Sequence, residues 1–183
     1  LVRSMEEYNC DMVISDFYRV SGERLAQKGD IEEDKVMSRQ EFASYMIENP
    51  ADFYYGVLWN KMYRRSIIEE YHIRMDTSIS WCEDFLFNLE YIRHAESFFA
   101  LQVPIYYYLK RRGSLVSQGA SITNTVRMKS NIFEYYNEFY KDVYEDKDYA
   151  DIRLQVYSFL WAAAKDGGVL AGSKKLGEER RRI

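Results

Sequence analysis

Apolar and polar positions change their period along the chain, and each change marks an element. Residues 1–7 read like the interior of a helix. Residues 11–20, Asp11-Met12-Val13-Ile14-Ser15-Asp16-Phe17-Tyr18-Arg19-Val20, are β-rich and bounded by polar residues, the composition of one partly buried strand. Ser21-Gly22-Glu23 supplies a turn, after which residues 24–28 return as the second arm of a hairpin. Ser38-Arg39-Gln40-Glu41 fits a capping box ahead of Phe42, Tyr45 and Met46, which share a helical face, so a helix begins at Ser38 and stops by Pro50. Residues 65–71 repeat Ile67, Ile68 and Tyr71 at helical spacing and place Arg64-Arg65 at the start of a short helix. A loop over 74–80 leads to a helix over 83–95. Its Phe85, Leu89 and Ile92 share one face, Leu86 widens the stripe, and Glu83 and Asp84 occupy the first turn. Residues 97–101 and 103–110 are aromatic and β-branched strands, bent apart at Pro104. A polar loop runs on through Gly119.

Beyond Ser121 the period becomes helical. Ile122, Val126, Ile132, Phe133, Tyr136, Phe139, Tyr140 and Val143 form a broad stripe. A second helix over 149–165 presents Ile152, Val156, Phe159, Leu160 and Ala163 to the first, as an antiparallel pair. Residues 167–183 are Gly-rich, then charged, the pattern of a frayed tail.

The 183 residues are 47% hydrophobic, enough for one core and about one domain. Two prolines, nine glycines and 30% charged residues argue for a folded chain and against disorder. A net charge of −4 excludes a general nucleic-acid binder, which needs a dominant basic surface. Cys10 and Cys82 have no CxxC spacing and only two histidines accompany them, so neither a zinc site nor a disulfide framework is indicated. Reduced thiols and a cytosolic setting follow. No apolar run approaches the roughly 18 residues of a membrane span, and no basic-then-apolar leader opens the chain. The first residue is not methionine, and the sequence reads as a fragment.

Three stretches carry candidate chemistry. Glu83-Asp84 lies behind a loop and before an apolar helix, where carboxylates cap orphan N–H groups and suit the helix dipole. The other reading of the same acids is a general base, which requires a carboxylate facing a cleft. Trp81 beside them either offers a ring face to a ligand or is buried. In Leu58-Trp59-Asn60-Lys61-Met62 the tryptophan fits a core, whereas Asn60 and Lys61 either line a pocket or satisfy backbone. Alternation puts Tyr106 and Tyr108 on one face of a strand and Tyr107 on the other. Lys110-Arg111-Arg112-Gly113-Ser114 then has the composition to hold phosphate oxygens by charge-assisted hydrogen bonds, or to stand solvated.

Taken in order, Leu58-Trp59-Asn60-Lys61-Met62-Tyr63-Arg64-Arg65, Cys82-Glu83-Asp84-Phe85-Leu86-Phe87-Asn88 and Ile105-Tyr106-Tyr107-Tyr108-Leu109-Lys110-Arg111-Arg112-Gly113-Ser114 resemble the second half of the catalytic domain of family 2 glycosyltransferases. These bacterial enzymes move a sugar from a nucleotide carrier onto a glycan. The resemblance implies a mixed α/β fold: residues 1–120 as the acceptor-side half of a GT-A domain, 121–166 as a helical extension and 167–183 as a flexible charged tail. It implies that Asp84 is the base of an inverting displacement and that Glu83 orients it or touches acceptor hydroxyls. Trp59, Asn60, Lys61 and Trp81 would bind substrate; Lys110, Arg111, Arg112 and Ser114 would close on the diphosphate. Cys82 stands where the relatives commonly carry glycine. The parent enzyme would use a divalent metal, Mg or Mn, held by an Asp-x-Asp motif upstream of Leu1. Asp146-Lys147-Asp148 has those letters but reads as an inter-helix loop. The nucleotide-binding half would also lie upstream, so the isolated chain is expected to be inactive. The resemblance further implies a nucleotide-sugar donor, a glycan acceptor and a role in cell-surface polysaccharide synthesis. It also implies a cytoplasmic location, peripheral at the inner face of the membrane, with self-association open. An interaction module and an inactive transferase remnant are the alternatives.

Overall fold

The computed structural model describes residues 1–50, 52–77, 79, 82–109 and 122–161, the last range with side chains from Lys129 onward. Trp81, Lys110, Arg111, Arg112, Ser114, Ala163 and the expected tail lie outside the described residues. Among those described, the order is α1 (Val2–Glu7), β1 (Met12–Ser15), β2 (Phe17–Ser21), β3 (Arg24–Lys28), β4 (Lys35–Ser38), α2 (Arg39–Glu48) and α3 (Phe53–Gly56). There follow β5 (Lys61–Tyr63), α4 (Arg65–Glu70), α5 (Glu83–His94), β6 (Ser97–Leu101), β7 (Tyr107–Leu109), α6 (Ile122–Val143) and α7 (Asp146–Ser158).

Two sheets share one long path. The first has the order β4-β6-β1-β5, with β1 and β6 parallel and the outer pairings antiparallel. The second is β3-β2-β7, an antiparallel hairpin with β7 added parallel to β2. The single strand expected over 11–20 is therefore two. Asp16 N–H donates to the Leu101 carbonyl at 3.1 Å, and the Asp16 carbonyl accepts from Ile105 N–H at 3.1 Å. The chain thus leaves β6 and joins the run toward β7 at one residue. The partner imposes the break: Pro104 has no N–H to give a ladder, and β7 starts at Tyr107 rather than at 103. The expected hairpin is present, with Gly22 at φ 60° in its turn, where a left-handed backbone favours glycine.

β1 is buried along its whole length, as a central strand covered on both faces should be. Phe42 of α2 stacks on Phe98 of β6 at 4.6 Å, and α5 contributes Phe85, Leu89, Tyr91 and Ile92 to the same core. Ser38 caps α2 by accepting from Glu41 N–H at 3.2 Å, while the Glu41 carboxylate turns to Lys35 at 2.6 Å, so one side of the expected capping box forms. α6 and α7 are antiparallel: Tyr149 meets Asn137, Tyr157 packs on Phe133, and the Phe159 carbonyl meets Lys129. Tyr136, Phe139, Tyr140 and Phe159 belong to the core cluster that also holds β1 and β6. α7 starts at Asp146 rather than at 149, which turns the expected Asp146-Lys147-Asp148 loop into its first turn, where acids suit the helix dipole.

Candidate active site

The site is built on residues 52–61 and on the first turn of α5. Asp52 Oδ1 accepts from Tyr54 N–H at 2.8 Å and starts the one-turn helix α3. A turn this short carries few hydrogen bonds of its own, so its carbonyls need other donors. Three buried side chains supply them. Asn60 Nδ2 donates to the carbonyls of Ser15 at 3.2 Å and Tyr54 at 3.0 Å. Lys61 Nζ donates to the carbonyls of Tyr54 at 2.7 Å and Val57 at 2.6 Å, and to Asn60 Oδ1 at 2.9 Å. Asn88, from α5, donates to the carbonyls of Tyr55 at 3.0 Å and Gly56 at 2.8 Å.

Asn60 is 0% and Lys61 7% exposed, so the structure places both beneath the loop. Burial drives the Lys61 pKa well below the usual lysine range, opposed by the charges of Asp84 and Asp52. Three acceptors within 2.9 Å nevertheless match the three hydrogens of an ammonium. A neutral amine would aim its lone pair at one of them, and the geometry therefore favours the charged form.

Asp84 is half-buried in the first turn of α5. Burial and the neighbouring Glu83 raise its pKa above the usual carboxylate value, while the Leu58 N–H and Lys61 pull it down. A raised carboxyl that remains ionised at neutral pH is a stronger base than a solvated one. Cys82 precedes the helix at φ 66°, ψ 17°, a left-handed conformation that ordinarily favours glycine. Burial, then Glu83 and Asp84, push its thiol up to about 12. Neither Cys10 nor Cys82 forms a disulfide.

Trp59 rises from the same loop as an aromatic wall. Its ring stacks on Tyr106 at 4.3 Å and on Tyr108 at 5.7 Å, and meets the edge of Phe17 at 4.9 Å. Tyr107 faces the other way, against Tyr18 at 4.9 Å, the alternation expected of the strand. Tyr106 is 41% exposed, leaving ring surface open beside the half-buried Trp59.

The fold thus brings Lys61 and Asp84 to one loop and Trp59 to Tyr106 and Tyr108. Sequence reasoning passed over Asn88 and Tyr63. The signal for Asn88 is a polar residue on the apolar stripe of α5, one turn after Asp84. Among the described residues no group of three or more His, Cys, Asp or Glu side chains can hold a metal.

Comparison with known proteins bears on the fold. Over 116 residues, 63% of the chain, the sequence is 27% identical to EpsJ of Bacillus subtilis strain 168, an uncharacterized glycosyltransferase. No family model matches. Residues 1–349 of TarS from S. aureus, solved with UDP-GlcNAc, superpose over 87% of the chain with a TM-score of 0.58 at 18% identity. The same TarS fragment with UDP gives a TM-score of 0.54 at 16% identity. The match spans 34% of the length of EpsJ and 42% of the TarS fragment. The chain is similar in sequence to a glycosyltransferase, and its fold is that of part of a GT-A-like glycosyltransferase domain.

Proposed function

We propose that the chain is the acceptor-side part of a family 2 glycosyltransferase that moves a sugar from a nucleotide-sugar donor to a glycan acceptor with inversion. The observation that carries this reading is Asp84, a half-buried carboxylate in the first turn of α5 whose pKa is raised by burial and by Glu83. The acceptor hydroxyl gives its proton to Asp84 as its oxygen bonds to the anomeric carbon. The bond from that carbon to the diphosphate breaks in the same displacement, and nucleoside diphosphate leaves. Trp59 and the exposed Tyr106 offer apolar ring faces to a sugar. TarS was solved with UDP-GlcNAc and with UDP, which favours a uridine diphosphate carrier here.

Lys110, Arg111, Arg112 and Ser114 remain our proposal for the diphosphate contacts, and Glu83 for orienting Asp84 or the acceptor. A divalent Mg or Mn ion would help neutralise the leaving group when bound. Its ligands would come from outside the described residues, since no described cluster suits it. Cell-surface polysaccharide synthesis at the inner face of the membrane is the corresponding cellular role.

The test is UDP release from UDP-GlcNAc and other UDP-sugars by the full-length protein that contains this chain. Asp84→Asn should lower kcat at least about 10²-fold with the fold retained, and an unchanged rate overturns the assignment. Calorimetric titration with UDP and manganese, with Lys110, Arg111 and Arg112 changed to alanine, tests the basic loop in the same protein. Binding unaffected by that change removes it from the site.

A further inference from the structure

The successive carbonyls of Tyr54, Tyr55, Gly56 and Val57 all turn inward to buried side-chain donors. Asn60 and Lys61, which close the same loop, serve Tyr54 and Val57. Asn88 reaches in from α5: its Nδ2 donates to the carbonyls of Tyr55 at 3.0 Å and Gly56 at 2.8 Å, with that of Val57 at 3.4 Å beyond. Its Oδ1 accepts from the Tyr63 hydroxyl at 2.6 Å. The network fixes that orientation, because an oxygen turned toward two carbonyls would find no hydrogen there. Asn88 stands one helical turn after Asp84, so the two side chains share a face of α5 and lean toward its N-terminus. The loop that Asn88 holds runs on into Trp59, whose ring is fixed at its far side on Tyr106 and Tyr108. From this geometry we infer that Asn88 is a positioning residue, which sets the Trp59 loop against the Asp84 face of α5 and thereby fixes the aromatic wall relative to the base.

Two further observations support this. The hydrogen bonds that Asn60 and Lys61 make to the loop carbonyls are local, spanning 4 to 7 residues, and shape the loop without saying where it stands on α5. Those of Asn88 span 31 to 33 residues and do say so. Asn88 is also 0% exposed, so water cannot take over its two amide hydrogens or the carbonyls they serve. An aspartate in its place has nearly the same size but only acceptors, and would meet the Tyr55 and Gly56 carbonyls oxygen to oxygen. A shift of about 1 Å in such a support can cost a rate on the order of 10²-fold. The catalytic consequence rests on the reading of Asp84 as the base; the attachment of the loop does not.

Asn88→Asp in the full-length protein that contains this chain tests the inference through two readouts. The first is the Trp59 indole N–H resonance, identified by its loss in Trp59→Phe and followed without substrate. It should shift in Asn88→Asp, while the indole resonance of Trp161, beyond α7, stays in place. The second is UDP release from UDP-GlcNAc. Its kcat should fall at least about 10-fold in Asn88→Asp, but less than about 2-fold when the same change is made in Asp84→Asn, because residues that act as a unit are not additive. A general structural defect would lower both backgrounds by the same factor, and that result overturns the inference. An indole indifferent to Asn88→Asp overturns it as well. If Asn88→Asp does not fold, the wild-type Asn88 side-chain amide decides: protons in fast exchange with water overturn the attachment, and slowly exchanging ones uphold it. An indole that moves as expected while Asp84→Asn leaves UDP release intact would keep the attachment and remove the base. UDP release lost in Asp84→Asn with the indole unmoved in Asn88→Asp would do the reverse.

Discussion

The phenolic hydroxyl of Tyr63 donates to Asn88 Oδ1 at 2.6 Å, joining strand β5 to the buried face of helix α5. Asn88 is 0% exposed, and its amide group is already committed to the carbonyls of Tyr55 and Gly56. One carboxamide thus connects three elements, and the loop carrying Leu58 and Trp59 hangs from it. Tyr63→Phe keeps the ring contacts to Phe87 and Tyr91 and removes only the hydroxyl. It should cost about 1–2 kcal/mol, the range for a hydrogen bond lost from a buried acceptor. Asn88→Ala leaves two loop carbonyls short of donors and should cost about 3 kcal/mol or more. Urea unfolding of both variants checks the order; equal losses would show that the amide contacts carry no weight.

Cys82 is both buried and left-handed, and the two properties pull a substitution in opposite directions. Glycine at this place, as the family resemblance suggests, removes a Cβ penalty of about 1–2 kcal/mol. It also removes a side chain that packs in the main core. The two terms nearly cancel, so Cys82→Gly should change stability by less than about 1 kcal/mol. Cys82→Val adds a branched carbon at φ 66° and should cost about 2 kcal/mol or more. Thermal melts distinguish them, and a valine variant as stable as the glycine one would mean that the turn relaxes.

Much of this architecture was legible in the sequence, because local rules set most of the helices. The Ser38 cap, the apolar face of α5 and the stripe on α6 follow from spacing alone. The break at Asp16 was not legible, since Ser15-Asp16 interrupts the apolar run without any turn residue and the matching interruption sits at Pro104, between β6 and β7. β4 and β5 were missed for a related reason: strands of four and three residues are defined by pairing with β6 and β1. Spacing also foretold that Glu83 and Asp84 stand in the first turn of α5 and that Tyr107 faces away from Tyr106 and Tyr108. Lys61 and Asn60 stayed open between a pocket role and a backbone one, because a sequence shows polar groups without showing the carbonyls that claim them.

Phe159 tests whether the helical pair stands apart from the sheet. It stacks on Tyr136 at 4.5 Å and on Phe85 of α5 at 6.1 Å, and is 0% exposed. Phe159→Ala should cost about 3–5 kcal/mol. Because α5 is one wall of that contact, the loss should appear in one cooperative transition that includes α5 amides. Hydrogen exchange resolves the point. Faster exchange confined to α6 and α7 would make the helices a separate unit joined near residue 121.

Asp16 should give the fold an inverted pH dependence. Its side chain is buried, Oδ2 accepts from Gln27 Nε2 at 2.8 Å, and Oδ1 has no partner. A Cβ on Gly29 would lie 2.0 Å from that oxygen, so any larger residue at position 29 would force the Asp16 carboxylate to move. Burial raises the Asp16 pKa above the usual carboxylate value, Asp34 adds to the rise, and Gln27 opposes it. The folded state therefore binds the Asp16 proton more tightly than the unfolded chain does. Its stabilising effect is complete below the unfolded value of about 4 and is lost as pH rises through the higher folded value. Asp16→Asn preserves an acceptor for Gln27 and cannot ionise. Relative to the wild type it should gain stability between pH 4 and pH 7, measured as the difference in urea midpoints at the two values. A difference that is constant across that window, or that favours the wild type at pH 7, would show that Asp16 is ionised in the fold without cost.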